Sequence, residues 1–175
     1  MSKLIIVCGL PGSGKTTLAR ELSRALGIVC LHKDTIKEAL YDALQCATLE
    51  DSKRVGAAAM QTLLALAQEQ CRRGVDVMIE APMTYAQDDA LLRQWEADYG
   101  AEVRVIICTI DEDERQRRLH TRPRHRAHHD AQRTHAPQQR DYATLPGTHI
   151  TISTDRPVDT LCAEVMAEFS TAQNH

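Results

Sequence analysis

Aromatic side chains are scarce in this 175-residue chain: they make up 3% of it, with a single Trp and a single Phe. A stacking platform for nucleobases is built from such rings, so this shortage weighs against one. Long apolar runs are missing too. None approaches the ~20 residues of a membrane-spanning helix, and no membrane is expected as a partner. The six cysteines are dispersed, and none forms a C-x-x-C pair. They are expected to be buried free thiols of a reducing cytoplasm, not a disulfide framework. A strand-like run begins at Leu4, leaving no room for a secretory leader, which again points to the cytoplasm. The formal net charge is only −3, which gives no sign of general polyanion binding.

What the chain does have is the stretch Gly9-Leu10-Pro11-Gly12-Ser13-Gly14-Lys15-Thr16-Thr17. It fits the phosphate-binding Walker A pattern G-x-x-x-x-G-K-[ST]. Its surroundings fit as well. The apolar run 4–8 reads as a buried strand before it, and Leu18, Leu22 and Leu26 recur at helical spacing behind it, with Gly27 as the stop. Glycines let a backbone curl around an anion, and a helix N-terminus adds positive potential. Gly9, Pro11, Gly12, Ser13, Gly14, Lys15, Thr16 and Thr17 are therefore the candidate nucleotide-binding residues. Lys15 would reach the outer phosphates, and Thr16 would hold Mg²⁺.

Strand and helix alternate along the rest of the chain, which predicts an α/β fold with a parallel sheet covered on both faces. Strands are expected at 28–32, 75–79, 103–108 and 149–153. Helices are expected at 35–44, at about 50–73, from Asp88 to about 99, from Asp111, and after Pro157. Asp111, with Glu114 three residues on, resembles a capping box. Half of the sixteen arginines fall between Arg115 and Arg140, together with five of the eight histidines. Few apolar residues accompany them. The segment 115–140 is expected to be a mobile basic lid within a single domain, 1–175.

Ligands of open parallel sheets bind beyond the C-terminal strand ends. Asp34, Glu80 and the basic segment should gather there beside the glycine loop. Asp34 is the candidate general base, orienting or deprotonating an incoming hydroxyl; it could also cap the helix expected from Thr35. Lys37, one turn further, can face the same side and steady the acceptor or the transferring phosphoryl group, or remain a solvated surface lysine. Glu80 ends an apolar run as a Walker B carboxylate would, acting on Mg²⁺ through water or on the acceptor. Arginine forks suit the charge of a phosphoryl group in transit, so Arg115, Arg118 and Arg122 are candidates. Arg156 is a candidate for the nucleotide pocket. The loop 82–87 and the helix from Thr35 are expected to shape the acceptor pocket. The histidines of the basic segment are loosely spaced among arginines, which disfavours a zinc site.

These residues resemble the small P-loop kinases of the nucleotide-kinase-like superfamily. Within it, the chain is most similar to AAA-domain predicted kinases related to polynucleotide kinase and chloramphenicol phosphotransferase. The likeness runs over nearly the whole chain. It implies a P-loop three-layer fold with sheet order 2-3-1-4-5, ATP and Mg²⁺ as cofactors, and phosphoryl transfer to a hydroxyl. The family's D-x-x-R pattern falls on Asp34 and Lys37, with lysine in place of arginine, which removes the two-pronged grip on phosphate. The leading expectation is a kinase for a small molecule: a metabolite, nucleoside or antibiotic. A polynucleotide 5′-hydroxyl kinase and an ATPase switch acting through a protein partner are the alternatives.

Overall fold

The computed structural model describes residues 2–85, 87–121, 125–128 and 140–171. The chain runs β1 (Lys3–Cys8), α1 (Lys15–Leu26), β2 (Cys30–His32), α2 (Lys33–Ala43), α3 (Leu49–Arg72), β3 (Val77–Glu80), α4 (Gln87–Tyr99), β4 (Glu102–Thr109), α5 (Glu112–Thr121), β5 (Thr148–Ser153) and α6 (Val158–Thr171). All the strand pairings are parallel, and the sheet order is β2-β3-β1-β4-β5. This is the order the family resemblance implied.

The sheet is buried on both faces, and β1 shows why its sequence is apolar at every position. Leu4, Ile6 and Cys8 point to the layer of α3 and α4, where they meet Leu63, Ala67 and Trp95. Ile5 and Val7 point the other way, to Leu18 and Leu22 of α1 and to Leu161 and Val165 of α6. A strand presents alternate side chains to opposite faces, so a centre strand between two helical layers must be apolar throughout. A third, smaller cluster joins Tyr41, Cys46 and Val55 to Ala127, which comes from the basic segment. Among the described residues no helix is long and apolar enough to cross a membrane.

Two element boundaries differ from expectation in ways that affect the site. Strand β2 is only three residues long, and α2 begins directly after it with His32 as its N-cap. Asp34 therefore lies inside the first helical turn and does not cap the helix. Strand β3 starts at Val77 because Val75 still belongs to the turn closing α3, where its N–H donates to the Gln70 carbonyl at 3.0 Å. At α5, Asp111 Oδ1 does accept from the N–H groups of Asp113 and Glu114 at 3.0 and 3.3 Å. The Glu114 side chain completes no box; it turns to Arg117 and Arg118 instead.

Candidate active site

Strand β1 has β3 on one side and β4 on the other, so the chain reverses its direction across the sheet at this strand. The glycine loop leaves its C-terminal end, at the switch point where open α/β sheets take ligands. The loop's shape depends on missing side chains. A Cβ on Gly9, whose φ is +140°, would lie 2.4 Å from the Cys108 carbonyl oxygen. Gly12, with φ +85°, faces α5 so closely that a Cβ would sit 3.0 Å from Leu119 Cγ. At both positions the positive φ would strain any larger residue, and at Gly9 the carbonyl leaves no room for one.

Three ties brace the loop from outside. Arg115, 4% exposed, donates from Nη1 to the Pro11 carbonyl at 2.9 Å, while Glu112 grips its other nitrogens. Thr154 donates from Oγ1 to the Ser13 carbonyl at 2.7 Å. Arg118 donates to the Thr154 carbonyl at 3.0 Å and to Glu114 at 2.8 Å. No side chain caps α1, whose N-cap is Gly14. Among the described residues the buried Ser13 hydroxyl has no hydrogen-bond partner. An uncapped helix N-terminus, a glycine cradle and an orphaned hydroxyl fit a bound phosphate chain. A cavity of about 530 Å³ opens here. Gly12, Gly14, Lys15, Thr16 and Thr17 line it on one side, and Arg118, Thr154 and Arg156 on another. Arg156 is steadied by Glu164 at 2.8 Å.

A second cavity, of about 320 Å³, shares Thr16 and Thr17 with the first. Asp34 and Glu80 line it together with His32, Thr35 and Glu38. Glu80 is 2% exposed and stands between Lys15 Nζ at 3.7 Å and His32 Nδ1 at 3.1 Å. Asp34 is half-buried beside Lys33, whose Nζ is 3.3 Å away. Burial alone would raise the Asp34 pKa, but the charges of Lys33, His128 and Lys15 outweigh it and hold the carboxyl below its ordinary value. Asp34 is thus ionised at neutral pH and ready to accept a hydrogen bond. Mg²⁺ would find the Thr16 hydroxyl and, through water, Glu80; such a set suits an ion that takes most of its ligands from phosphate and water.

Lys37 is not brought to the glycine loop. It is 1% exposed, with Nζ donating to Ser52 Oγ at 2.9 Å. Ser52 in turn donates to the Ala127 carbonyl at 2.7 Å. The solvated alternative for Lys37 is therefore wrong, and its ammonium ties α2 to α3 and to the basic segment. Around Ala127, the rest of that short stretch grips α2. His125 and Arg126 pair with Asp42, and His128 pairs with Glu38 at 2.8 Å.

The basic segment is less free than its composition suggests. Residues 115–121 belong to α5. Arg115 and Arg118 hold the loop region, and Arg126 holds Asp42. Arg140 is spent on the β3–α4 loop, donating to the carbonyls of Met83 and Tyr85 and pairing with Asp89. That loop, expected to shape the acceptor pocket, is pinned by Arg140 and by the Tyr142 hydroxyl on the Pro82 carbonyl. None of its described residues lines the second cavity. Arg122 lies outside the described residues. Sequence reasoning missed His32, Glu38 and Thr154. Thr154 had a signal, since it is the first polar residue past β5, at the sheet edge where ligands gather.

A family model described as an AAA domain matches residues 4–146. Comparison with curated proteins finds no match. Among solved structures, a protein of Chloroflexus aurantiacus J-10-fl, provisionally described as a kinase, is 25% identical with a TM-score of 0.75, over 95% of this chain and 97% of its own. The Mycobacterium tuberculosis APS kinase CysC, solved with AMPPNP and APS, is 24% identical with a TM-score of 0.67, over 97% and 98%. A sugar kinase from Janibacter sp. HTCC2649 is 15% identical with a TM-score of 0.64, over 95% and 94%. The last two likenesses concern the fold alone.

Proposed function

The chain belongs to this AAA domain family, whose fold neighbours here are P-loop kinases, and from that premise we propose that it is an ATP-dependent kinase transferring the γ-phosphoryl group to a hydroxyl of a small molecule. One observation carries the reading. Two cavities share the wall of Thr16 and Thr17, one bearing the glycine cradle and the other bearing Asp34. A nucleotide and an acceptor placed in them would meet at that wall.

In this reading Gly12, Gly14 and the uncapped start of α1 seat the phosphates, and Lys15 exchanges Glu80 for the outer phosphate oxygens. Asp34 accepts a hydrogen bond from the acceptor hydroxyl and aims it at phosphorus. As the new O–P bond forms and the bond to the leaving diphosphate breaks, the hydroxyl proton passes to Asp34 and on to solvent. Arg118 neutralises charge at the transferring group. Arg115 works one layer out, by holding the Pro11 carbonyl. MgATP supplies the phosphoryl group and part of its charge neutralisation. Residues 1–175 act as one kinase domain, with 115–140 as its basic lid. We place the enzyme in the cytoplasm, where its free thiols stay reduced.

Asp34→Asn should leave nucleotide affinity intact and slow transfer by ~10²-fold. Measuring ATP consumption with and without acceptors tests this. Equal consumption without any acceptor, unaffected by Asp34→Asn, would defeat the kinase reading.

A further inference from the structure

We propose that the acceptor is a small, hydroxyl-rich molecule without an anionic group, such as a hexose, a pentitol or an aminocyclitol. Nucleosides and phosphorylated or sulfated compounds are excluded. The proposal rests on the kinase reading and narrows it.

The first argument is the chemistry of the wall. Every described residue lining the second cavity is polar or ionisable: threonines, histidines, carboxylates and Arg20. No Phe, Tyr, Trp or aliphatic side chain is among them, and the described rings, the imidazoles of His32, His125 and His128, are each paired with a carboxylate. A nucleobase needs a ring or an apolar wall against its face, and an apolar antibiotic needs more apolar surface still. Tyr41 lies close by, but it is 1% exposed and packs edge-on to His125.

The second argument is charge. Asp34, Glu38 and Glu80 face the cavity, whereas Arg20 is its only described guanidinium. Lys15 stands 3.7 Å from Glu80 and would turn to the nucleotide. Among the described residues, two arginines of the basic segment are engaged with protein: Arg126 with Asp42, and Arg140 with Asp89. An anionic acceptor would meet three carboxylates here, with Arg20 as the one described guanidinium to offset them.

The third argument is the hydrogen-bonding format. Two carboxylate–imidazole pairs, Glu80 with His32 at 3.1 Å and Glu38 with His128 at 2.8 Å, line the same cavity as Asp34. Each carboxylate accepts, and the second nitrogen of a neutral ring that donates to its carboxylate accepts as well. Vicinal hydroxyls, each both donor and acceptor, complement that arrangement. The volume of about 320 Å³ lies at the low end of ligand pockets, suited to a molecule of hexose size.

The test incubates the full chain and MgATP with three pools: hexoses, pentitols and aminocyclitols; nucleosides; and sugar phosphates with sulfated nucleotides. Mass spectrometry scores the gain of one phosphoryl group. Phosphorylation is expected in the first pool alone. Glu38→Gln should raise KM for that acceptor by ~10-fold while KM for ATP stays unchanged. Transfer into the second or third pool, or into none while calorimetry still shows MgATP binding, overturns the substrate class and leaves the nucleotide site standing. Absence of MgATP binding overturns the kinase reading as well.

Discussion

The two cavities meet at Thr16 and Thr17 but are made of different materials. The nucleotide side is built from backbone. Its glycines leave room, and its outer ties end on carbonyls: Arg115 on Pro11, Thr154 on Ser13, Arg118 on Thr154. The acceptor side is built from side chains. Carboxylates and imidazoles reach it from α2, the ends of β2 and β3, and the stretch 125–128. The contrast follows from the ligands proposed for the two cavities. A triphosphate is always the same anion, and oriented N–H groups serve it without sequence-specific contacts. An acceptor must be told apart from its competitors, which takes side chains that can be exchanged one at a time.

If this division is real, damage on one side should leave the other intact. The largest effect should come from Lys15→Ala, with turnover falling by ~10³-fold or more and ATP affinity falling with it. Full activity in a coupled ATP-consumption assay would break the assignment of the nucleotide side. Ser52→Ala should be milder and should fall on the opposite side. It removes the donor to the Ala127 carbonyl and the acceptor for Lys37, loosening the stretch that carries His125 and His128. A several-fold rise in acceptor KM is expected, with ATP affinity held and stability lowered by ~1–3 kcal/mol. Equal losses for both ligands would show that the two sides are one mechanical unit.

The same division explains what could be read in advance. A backbone-built site is contiguous, so Gly9 through Thr17 announced itself, along with the strand before it and the helix behind it. That Asp34 and Glu80 would come to one cavity was legible because strand ends in a parallel sheet converge. Lys37 was misread because helical spacing gives a side chain's face and not its depth. The 24-residue α3 lies over that face and buries it. His128 and Glu38 are ninety positions apart, a pairing that only the tertiary fold creates. The arginines of the basic segment looked like phosphate ligands by composition, but most of the described ones are tied to carbonyls and carboxylates of the protein. Composition counts charges without revealing which are already spent.

The smallest effect offers the sharpest comparison. Hydrogen bonds from Arg115 and Gln116 push the Glu112 carboxyl down to about 2, and those from Arg117 and Arg118 do the same for Glu114. A carboxyl whose folded pKa is depressed contributes stability above its ordinary value of 4.5. That contribution is lost as pH falls from 4.5 toward 2. Glu112 is exposed and Glu114 half-buried, so solvent and salt screen both, Glu112 the more. Glu112→Gln imitates the acid form at neutral pH. It weakens one of the two anchors of Arg115 and leaves the other, the Pro11 carbonyl. MgATP affinity measured by calorimetry should therefore fall by only ~2–3-fold, by less in high salt, with acceptor KM unmoved. A loss rivalling that of Lys15→Ala would mean that the glycine loop owes its shape to side-chain charge as much as the acceptor wall does, and the difference between the two halves would vanish.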